Sequence, residues 1–304
     1  MPLDPERLLA YPIPEVTQAL TRRDTMFYAL SIGFGQDPLD DWQRRFVTET
    51  DLVAVPSMAV VLGAPGFWLG DPATGVDAAK VLHGEQSLTL HRPLPVEGTV
   101  IGKSRITGLV DRGAAKGAVL YTARALTDSS GAPLATLEST SLLRGDGGFG
   151  GADGPLKQPH PTPDRSADRT LTLATRPEQA LLYRLNGDFN PLHSDPAVAA
   201  RAGFPRPILH GLCTLGVVCH ALLRLACDGD PARLRHLALR FSAPVFPGET
   251  IETAVWEDGE GRFAFTARVP DRGVTVISNG LCETRQAEAG EAEVGEAEVG
   301  GSGG

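Results

Sequence analysis

An acid, an amide and an imidazole lie within one short, turn-rich segment of this sequence. The segment reads Gly-Asp-Phe-Asn-Pro-Leu-His and carries Asp188, Asn190 and His193. A carboxylate and an imidazole five positions apart can act on one small molecule only if the chain between them bends, and Asn190-Pro191 is typical of turns. A second histidine, His210, precedes Gly211 and a long apolar run. These residue types in this arrangement predict general acid–base chemistry.

The residues alone also allow a structural interpretation of the segment. Asn is a favoured N-cap and Pro a favoured first helical residue, and Ser194-Asp195-Pro196 repeats that signal before an alanine-rich run that Gly203 ends. Asp188 and Asn190 would then be turn residues, and His193 a surface histidine. The heptapeptide by itself leaves both interpretations open.

The elements that must position this segment occur twice along the chain. In the first part, apolar spacing predicts a helix over 15–34 and a short one over 55–63, followed by strands containing 88–90, 99–101, 118–123 and 136–143. In the second part, an apolar helix over 212–225 precedes strands at 236–242, 250–256, 262–269 and 274–284. Helices followed by strands with short connections predict an α+β fold with antiparallel sheets.

A stretch rich in Gly, Pro and Asp separates the two parts. We therefore expect an N-terminal domain over 1–145, a linker over 146–169 and a C-terminal domain over 170–286. Residues 287–304, an acidic, Gly-rich tail, are expected to be disordered because they contain few apolar residues. The segments Leu88-Thr-Leu-His and Leu237-Ala-Leu-Arg lie about 150 positions apart and indicate an internal duplication.

The whole motif resembles a known signature. The order G-D-x-N-P-x-H, an alanine-rich helix and P-I-L-H-G resembles the type 2 enoyl-CoA hydratases, also called MaoC-like dehydratases. Similar segments are VLHGEQ at 81–86, GGFGG at 147–151 and ISNG at 277–280. The resemblance covers residues 10–286 and implies two tandem hotdog folds, each a long helix wrapped by a curved antiparallel sheet, as in the double-hotdog hydratases of eukaryotic multifunctional β-oxidation enzymes.

The resemblance also implies a reaction, the reversible addition of water to trans-2-enoyl-CoA to give (R)-3-hydroxyacyl-CoA. In the family pattern Asp188 and His193 are the catalytic pair that holds the water, and Asn190 orients it. Gly211 begins a helix, so its free backbone N–H is placed to stabilise negative charge on the thioester oxygen.

Four further residues are expected near the substrate. We expect His210 to position the site rather than to act as the base. His83 is expected either to contact the ligand or to begin a strand. Arg184 and Arg206 flank the motif and are candidates for the CoA phosphates, although a solvated surface arginine is the ordinary case.

The N-terminal half lacks the acid and the base. Laying residues 28–39 on 183–193 places Phe34 and Leu39 at the positions of Asp188 and His193. We therefore expect one active site per chain, with the N-terminal half shaping a tunnel for the acyl chain. Gly63 and Gly66 end the helix at 55–63 early, which predicts an uncovered apolar groove and a preference for longer acyl chains.

Composition limits the partners. The net charge is −9 without a basic stripe, which argues against nucleic acid. The apolar run at 208–225 contains His210, His220 and Arg224, so it predicts a buried helix rather than a membrane span. Four cysteines without metal-ligand spacing, and a start unlike a secretory peptide, predict reduced thiols and a cytoplasmic location. The resemblance implies an acyl-CoA substrate, no metal and no organic cofactor, and we expect either a monomer or a homodimer.

Three other functions are compatible with parts of the sequence. One is a dehydratase of the same family acting on a branched, hydroxylated or carrier-protein-bound acyl group. A hotdog acyl-CoA thioesterase is disfavoured because that class lacks G-D-x-N-P-x-H. A non-catalytic acyl-CoA binder is disfavoured because Asp188 and His193 are both present.

Overall fold

The computed structural model describes residues 3–151 and 156–286. Its α-helices are α1 Pro5–Leu9, α2 Arg22–Ser31, α3 Asp41–Arg44, α4 Gln179–Tyr183, α5 Pro196–Arg201 and α6 Gly211–Leu225. Its strands are β1 Val16–Leu20, β2 Val81–Leu90, β3 Gly98–Asp111, β4 Ala118–Asp128, β5 Pro133–Leu143, β6 Arg169–Ala174, β7 Leu234–Phe241, β8 Thr250–Glu257, β9 Arg262–Val269 and β10 Val274–Thr284. The predictions for the tail at 287–304 and for linker residues 152–155 fall outside the described residues.

All ten strands of the described residues belong to one antiparallel sheet. Their order is β1-β3-β4-β5-β2-β7-β10-β9-β8-β6, so the five strands of each half run outward from a central β2–β7 pair in mirrored order. Leu88 of β2 pairs with Leu237 of β7. The two segments that indicated a duplication in the sequence therefore meet at the centre of the sheet.

Helix α6 is the long helix of the C-terminal half and is buried almost all round, as its apolar composition predicts. It packs against β6, β8 and the short 3-10 helix Pro56–Val60 of the N-terminal half. A Cβ atom at Gly216 would lie 2.5 Å from Ile32 Cγ2, so glycine permits this close packing. Residues of both halves thus share one core. None of the helices in the described part of the chain is long and apolar enough to cross a bilayer.

The helix predicted over 15–34 is wrong at its start. Val16–Leu20 form strand β1, which pairs with β3, and α2 begins only after Thr21. Thr21 and Asp24 form a capping box, in which each side chain accepts a hydrogen bond from the other's backbone N–H. Apolar residues four apart are typical of a helical face. Here, however, the capping box sets the start of α2 after Thr21, and residues 16–20 pair with the free edge of β3.

The helix predicted over 55–63 is shorter than expected, a 3-10 helix over Pro56–Val60. Gly63 has φ of +53° and lies against the backbone of Gly102, so a Cβ atom there would come within 2.7 Å of Gly102 Cα. Gly63 is thus required for packing and does not line an open groove. The strands beyond the short helix carry both apolar and polar side chains, among them Leu126 and Arg124, and the apolar groove stays a prediction.

Candidate active site

The loop from Gly187 to Gly211 brings an acid and two histidines together. Gly187 has φ of +110°, which permits a sharp turn after the 3-10 helix Arg184–Asn186. Pro191–His193 form one 3-10 turn, and after α5 the chain returns to start α6 behind His210. Side-chain ligand atoms of Asp188, His193 and His210 lie within 4.8 Å of one another, and no other cluster of this kind occurs among the described residues.

His193 presents one free imidazole nitrogen to this cluster. Its Nδ1 lies 2.9 Å from the carbonyl oxygen of Ile208. Because a carbonyl oxygen only accepts hydrogen bonds, Nδ1 carries the proton and Nε2 keeps its lone pair. Burial lowers the pKa of His193 below its ordinary value. The side chain is therefore neutral at pH 7 and able to accept a proton.

His210 makes a different contact. Its Nε2 donates to the backbone carbonyl of Asp188 at 3.2 Å, and its ring stacks on that of His193 with 3.7 Å between centroids. Burial, followed by the charge that His193 would carry, lowers the pKa of His210 to about 4. His210 thus contacts the Asp188 loop as a neutral donor, and its role as a positioning residue stays a prediction.

The contacts of Asp188 and Asn190 agree with parts of both the structural and the catalytic interpretation of the motif. The Asp188 carboxylate accepts the backbone N–H of Asn190 at 3.2 Å, and Asn190 Oδ1 accepts the N–H of Leu192 at 3.0 Å. Asn190 is therefore an N-cap of the 3-10 turn, and its Nδ2 forms no hydrogen bond within residues 3–151 and 156–286. The Asp188 side chain remains exposed beside the two imidazoles.

The start of α6 forms the next wall of the site. A Cβ atom at Gly211 would lie 3.2 Å from the ring of Phe241 in β7, so a larger residue would push that ring aside. The ring of His83, from β2, lies 5.0 Å from the ring of Phe241, and His83 Nε2 lies 3.1 Å from the Glu85 carbonyl oxygen. The N-terminal half therefore contributes His83 to the rim of the site. Sequence reasoning missed Phe241, because it lies in a strand with no motif of its own.

The two arginines lie in different places. The Arg184 guanidinium lies 4.9 Å from the ring centroid of Phe189, which is 58% exposed, and its charge contributes to the low pKa of His210. Arg184 is thus next to the cluster. Arg206 donates to the carbonyl of Pro247 at 3.1 Å and lies over Phe246. Within the described chain Arg206 makes no contact with the cluster.

Comparison with known proteins decides the family. A model of the MaoC-like domain matches residues 157–279, and a model of the MFE-2 hydratase 2 N-terminal domain matches residues 19–145. The peroxisomal enoyl-CoA hydratase 2 of Arabidopsis thaliana is 40% identical over 287 residues, covering 89% of this chain and 92% of that protein. The chain belongs to the MaoC-like dehydratase family.

Other members of the MaoC-like family agree with this assignment. The 3-hydroxyacyl-thioester dehydratase Y of Mycobacterium tuberculosis is 40% identical over 275 residues, covering 88% of this chain and 92% of that protein. A crystal structure of a MaoC-like dehydratase from Phytophthora capsici is 37% identical, with a TM-score of 0.83 over 94% of this chain and 100% of that one. The resemblance found in the sequence is confirmed, and the fold is the predicted pair of tandem hotdogs.

Proposed function

We propose that the protein catalyses the reversible hydration of a trans-2-enoyl-CoA to an (R)-3-hydroxyacyl-CoA. The observation that carries this proposal is the convergence of Asp188, His193 and His210 within 4.8 Å. The start of α6 follows directly, so the unbonded N–H of Gly211 is part of the same site. The names of the Arabidopsis and mycobacterial relatives, a hydratase and a dehydratase, support the two directions of this reaction.

In the proposed mechanism, the Asp188 carboxylate and His193 Nε2 hold one water molecule. One of the pair accepts a proton as the water oxygen bonds to C3, and the alkene electrons move toward the thioester. A proton delivered to C2 then completes the addition of H and OH. The reverse sequence removes water from the hydroxyacyl thioester.

Gly211 supplies the electrostatic part of the mechanism. Negative charge develops on the thioester oxygen as C3 is attacked, and the Gly211 N–H at the positive end of α6 donates to it. Losing one such donor raises the barrier of related acyl chemistry by about 2.7–4 kcal/mol. We propose that Asn190 orients the water or the acid through its Nδ2.

The site requires neither a metal nor an organic cofactor in this proposal. His210 Nε2 donates to a carbonyl and its Nδ1 is buried, which leaves the Asp188 carboxylate and His193 Nε2 to hold a ligand. Two such groups suit a water molecule, whereas catalytic zinc usually takes three protein ligands. We propose that Arg184, which lies beside the cluster, and His83 contact the CoA substrate, and Arg206 stays a prediction for the CoA phosphates.

A second candidate is the same chemistry on a different acyl carrier or chain. The mycobacterial relative is named for a 3-hydroxyacyl thioester and its name specifies no carrier. The alternative is therefore a dehydratase that acts on a branched, hydroxylated or carrier-protein-bound acyl group. We propose a cytoplasmic location from the four free, buried cysteines, although the Arabidopsis relative is peroxisomal.

Turnover of crotonyl-CoA tests the proposed reaction. The purified protein should bleach the absorbance of the conjugated enoyl thioester without releasing free CoA. Coupling the product to an (S)-specific 3-hydroxyacyl-CoA dehydrogenase should yield no NADH. Thiol release would identify a thioesterase, no change would indicate a binder, and NADH formation without an epimerase would contradict the proposed stereochemistry.

A further inference from the structure

The inner face of the N-terminal half, the face that contacts the 3-10 helix Pro56–Val60, carries two separate apolar clusters. One continues the main core through Val100, Leu126 and Leu137, and the other contains Leu120 and Leu143. Between them the same strands carry half-buried polar residues, here called the polar band: Ser104 of β3, Thr122 and Arg124 of β4, and Ser139 and Ser141 of β5.

Strand alternation and contacts fix the side on which Arg124 lies. Successive side chains point to opposite faces, so Arg124 shares a face with Leu126. The Leu126 side chain lies 3.2 Å from the Cβ position of Gly63, just beyond the 3-10 helix. Arg124 Nη2 donates to the carbonyl of Val60, inside that helix, at 2.6 Å. Both side chains therefore lie on the inner face.

The charge of Arg124 has no carboxylate partner within residues 3–151 and 156–286. Its Nε is buried and forms no hydrogen bond. Nearby, Thr122 and Ser139 bond to each other through their hydroxyl groups, 2.7 Å apart. The hydrogen bond from Nη2 to the Val60 carbonyl caps the end of the 3-10 helix, but Nε has no hydrogen-bond acceptor. A purely hydrocarbon ligand would leave this desolvated charge without a partner.

The polar band also lies at a useful distance from the catalytic cluster. His83, at the rim of the active site, pairs with Ser141, and Ser141 pairs with Leu120 of β4. Arg124 is four residues along β4 from Leu120, about 13 Å at 3.3 Å per residue, and β4 lies two strands away from His83 in the sheet. An acyl chain that leaves the site past His83 and runs along the band would bring its far end to Arg124.

We propose that Arg124 is a specificity residue that binds a carboxylate at the far end of the acyl chain. The preferred substrates are then trans-2-enoyl-CoA thioesters that carry a terminal carboxylate. Arg124 would donate to it through Nε and Nη1 as a charge-assisted pair. This inference rests on the proposed hydratase function and replaces the apolar groove that the sequence predicts.

The test compares three thioesters: crotonyl-CoA, trans-2-decenoyl-CoA and the ten-carbon trans-2-enoyl-CoA with a terminal carboxylate. The wild-type enzyme should show its highest kcat/KM on the carboxylated chain. Arg124→Met should lower kcat/KM for that substrate by about 10- to 100-fold, the range for a hydrogen-bonded charge. Its kcat/KM for crotonyl-CoA should stay within about twofold of the wild-type value. The matched control is Arg105→Met, which removes an exposed arginine from the outer face of β3 and should change none of the three values.

Arg124→Lys separates recognition from helix capping. Lysine keeps the charge beside Val60 but cannot form the two-pronged contact with a carboxylate. Compared with Arg124→Met, the lysine variant should therefore have the thermal stability of the wild-type enzyme but only part of its preference for the carboxylated chain. The inference is overturned if crotonyl-CoA is hydrated but wild-type enzyme favours the unsubstituted ten-carbon chain. It is also overturned if Arg124→Met leaves the ratio of the two ten-carbon substrates unchanged. If crotonyl-CoA itself is not hydrated, the proposed function fails instead.

Discussion

His193 and His210 stack on each other, yet their hydrogen bonds give them different chemistry. His193 donates through Nδ1 to Ile208 and keeps Nε2 free, whereas His210 donates through Nε2 to the backbone of Asp188. The carbonyl oxygen that each ring contacts therefore determines which ring nitrogen carries the proton. Each ring keeps one unprotonated nitrogen, Nε2 in His193 and Nδ1 in His210, but Nδ1 of His210 is buried without a hydrogen-bond partner. We therefore assign the role of proton acceptor to His193.

The pH dependence of activity follows from this environment. Burial lowers the pKa of His193 below its ordinary value of 6.5, so the neutral, basic form persists in more acidic solution than a free imidazole would. We expect kcat/KM for crotonyl-CoA to stay level as the pH falls to 6.5 and to decline only below it. A pH profile of the wild-type enzyme checks this. A decline centred above pH 6.5 would mean that His193 is not the group titrating.

Residue patterns in the sequence were sufficient for some parts of the site and insufficient for others. Asp188 and His193 are five positions apart, so the turn at Asn190-Pro191 predicts their convergence, and the family resemblance places Gly211 in the same site. Phe241 and Arg124 reach their places through strand pairing between distant segments. Such pairing depends on sheet register, which a single sequence does not specify.

At the scale of elements, the short 3-10 helix Pro56–Val60 shows which features the local sequence predicts and which it does not. Its proline start and glycine end were predictable from the sequence. Its length and the surface beside it were not, because they depend on how closely Gly63 approaches Gly102 of β3. The same limit applies to residues 16–20, whose strand conformation requires β3 as a partner.

A pair of glycine substitutions measures that close approach. Gly63 and Gly66 both have positive φ, of +53° and +72°, so alanine strains the backbone at either position. At Gly63 the new Cβ would also lie 2.7 Å from Gly102 Cα, whereas at Gly66 it meets no atom within 4 Å. Gly63→Ala should therefore reduce the free energy of unfolding by about 1–3 kcal/mol more than Gly66→Ala does. Urea unfolding of both variants provides the comparison, and equal losses would show that the contact is not tight.

At the scale of the whole molecule, the two hotdogs are parts of one folded unit. Tyr28 and Tyr183, at equivalent positions of the two halves, are both fully buried, with 6.3 Å between their ring centroids. β2 pairs with β7 along the centre of the sheet, and Arg240 of β7 forms an ion pair with Glu85 of β2. The two halves are therefore joined both by strand pairing and by buried side chains.

This shared core predicts cooperative unfolding. Because core residues of both halves belong to one cluster, exposing either half would also expose apolar surface of the other. We expect a single calorimetric transition whose van't Hoff and calorimetric enthalpies agree. Two resolved transitions would show that the halves unfold independently.

The central claim is that Asp188 and His193 perform the proton transfers of hydration, and two substitutions test it most directly. Asp188→Asn and His193→Ala should each lower kcat on crotonyl-CoA by about 10²–10⁴-fold, the range for removal of a general acid or base. Asp195→Asn, two residues beyond His193, is the matched control, because asparagine preserves the cap of α5 that Asp195 provides. The account predicts folded variants with unchanged thermal stability, and activity lost in the first two and kept in the third. Near-normal kcat in a folded Asp188→Asn or His193→Ala enzyme would contradict it.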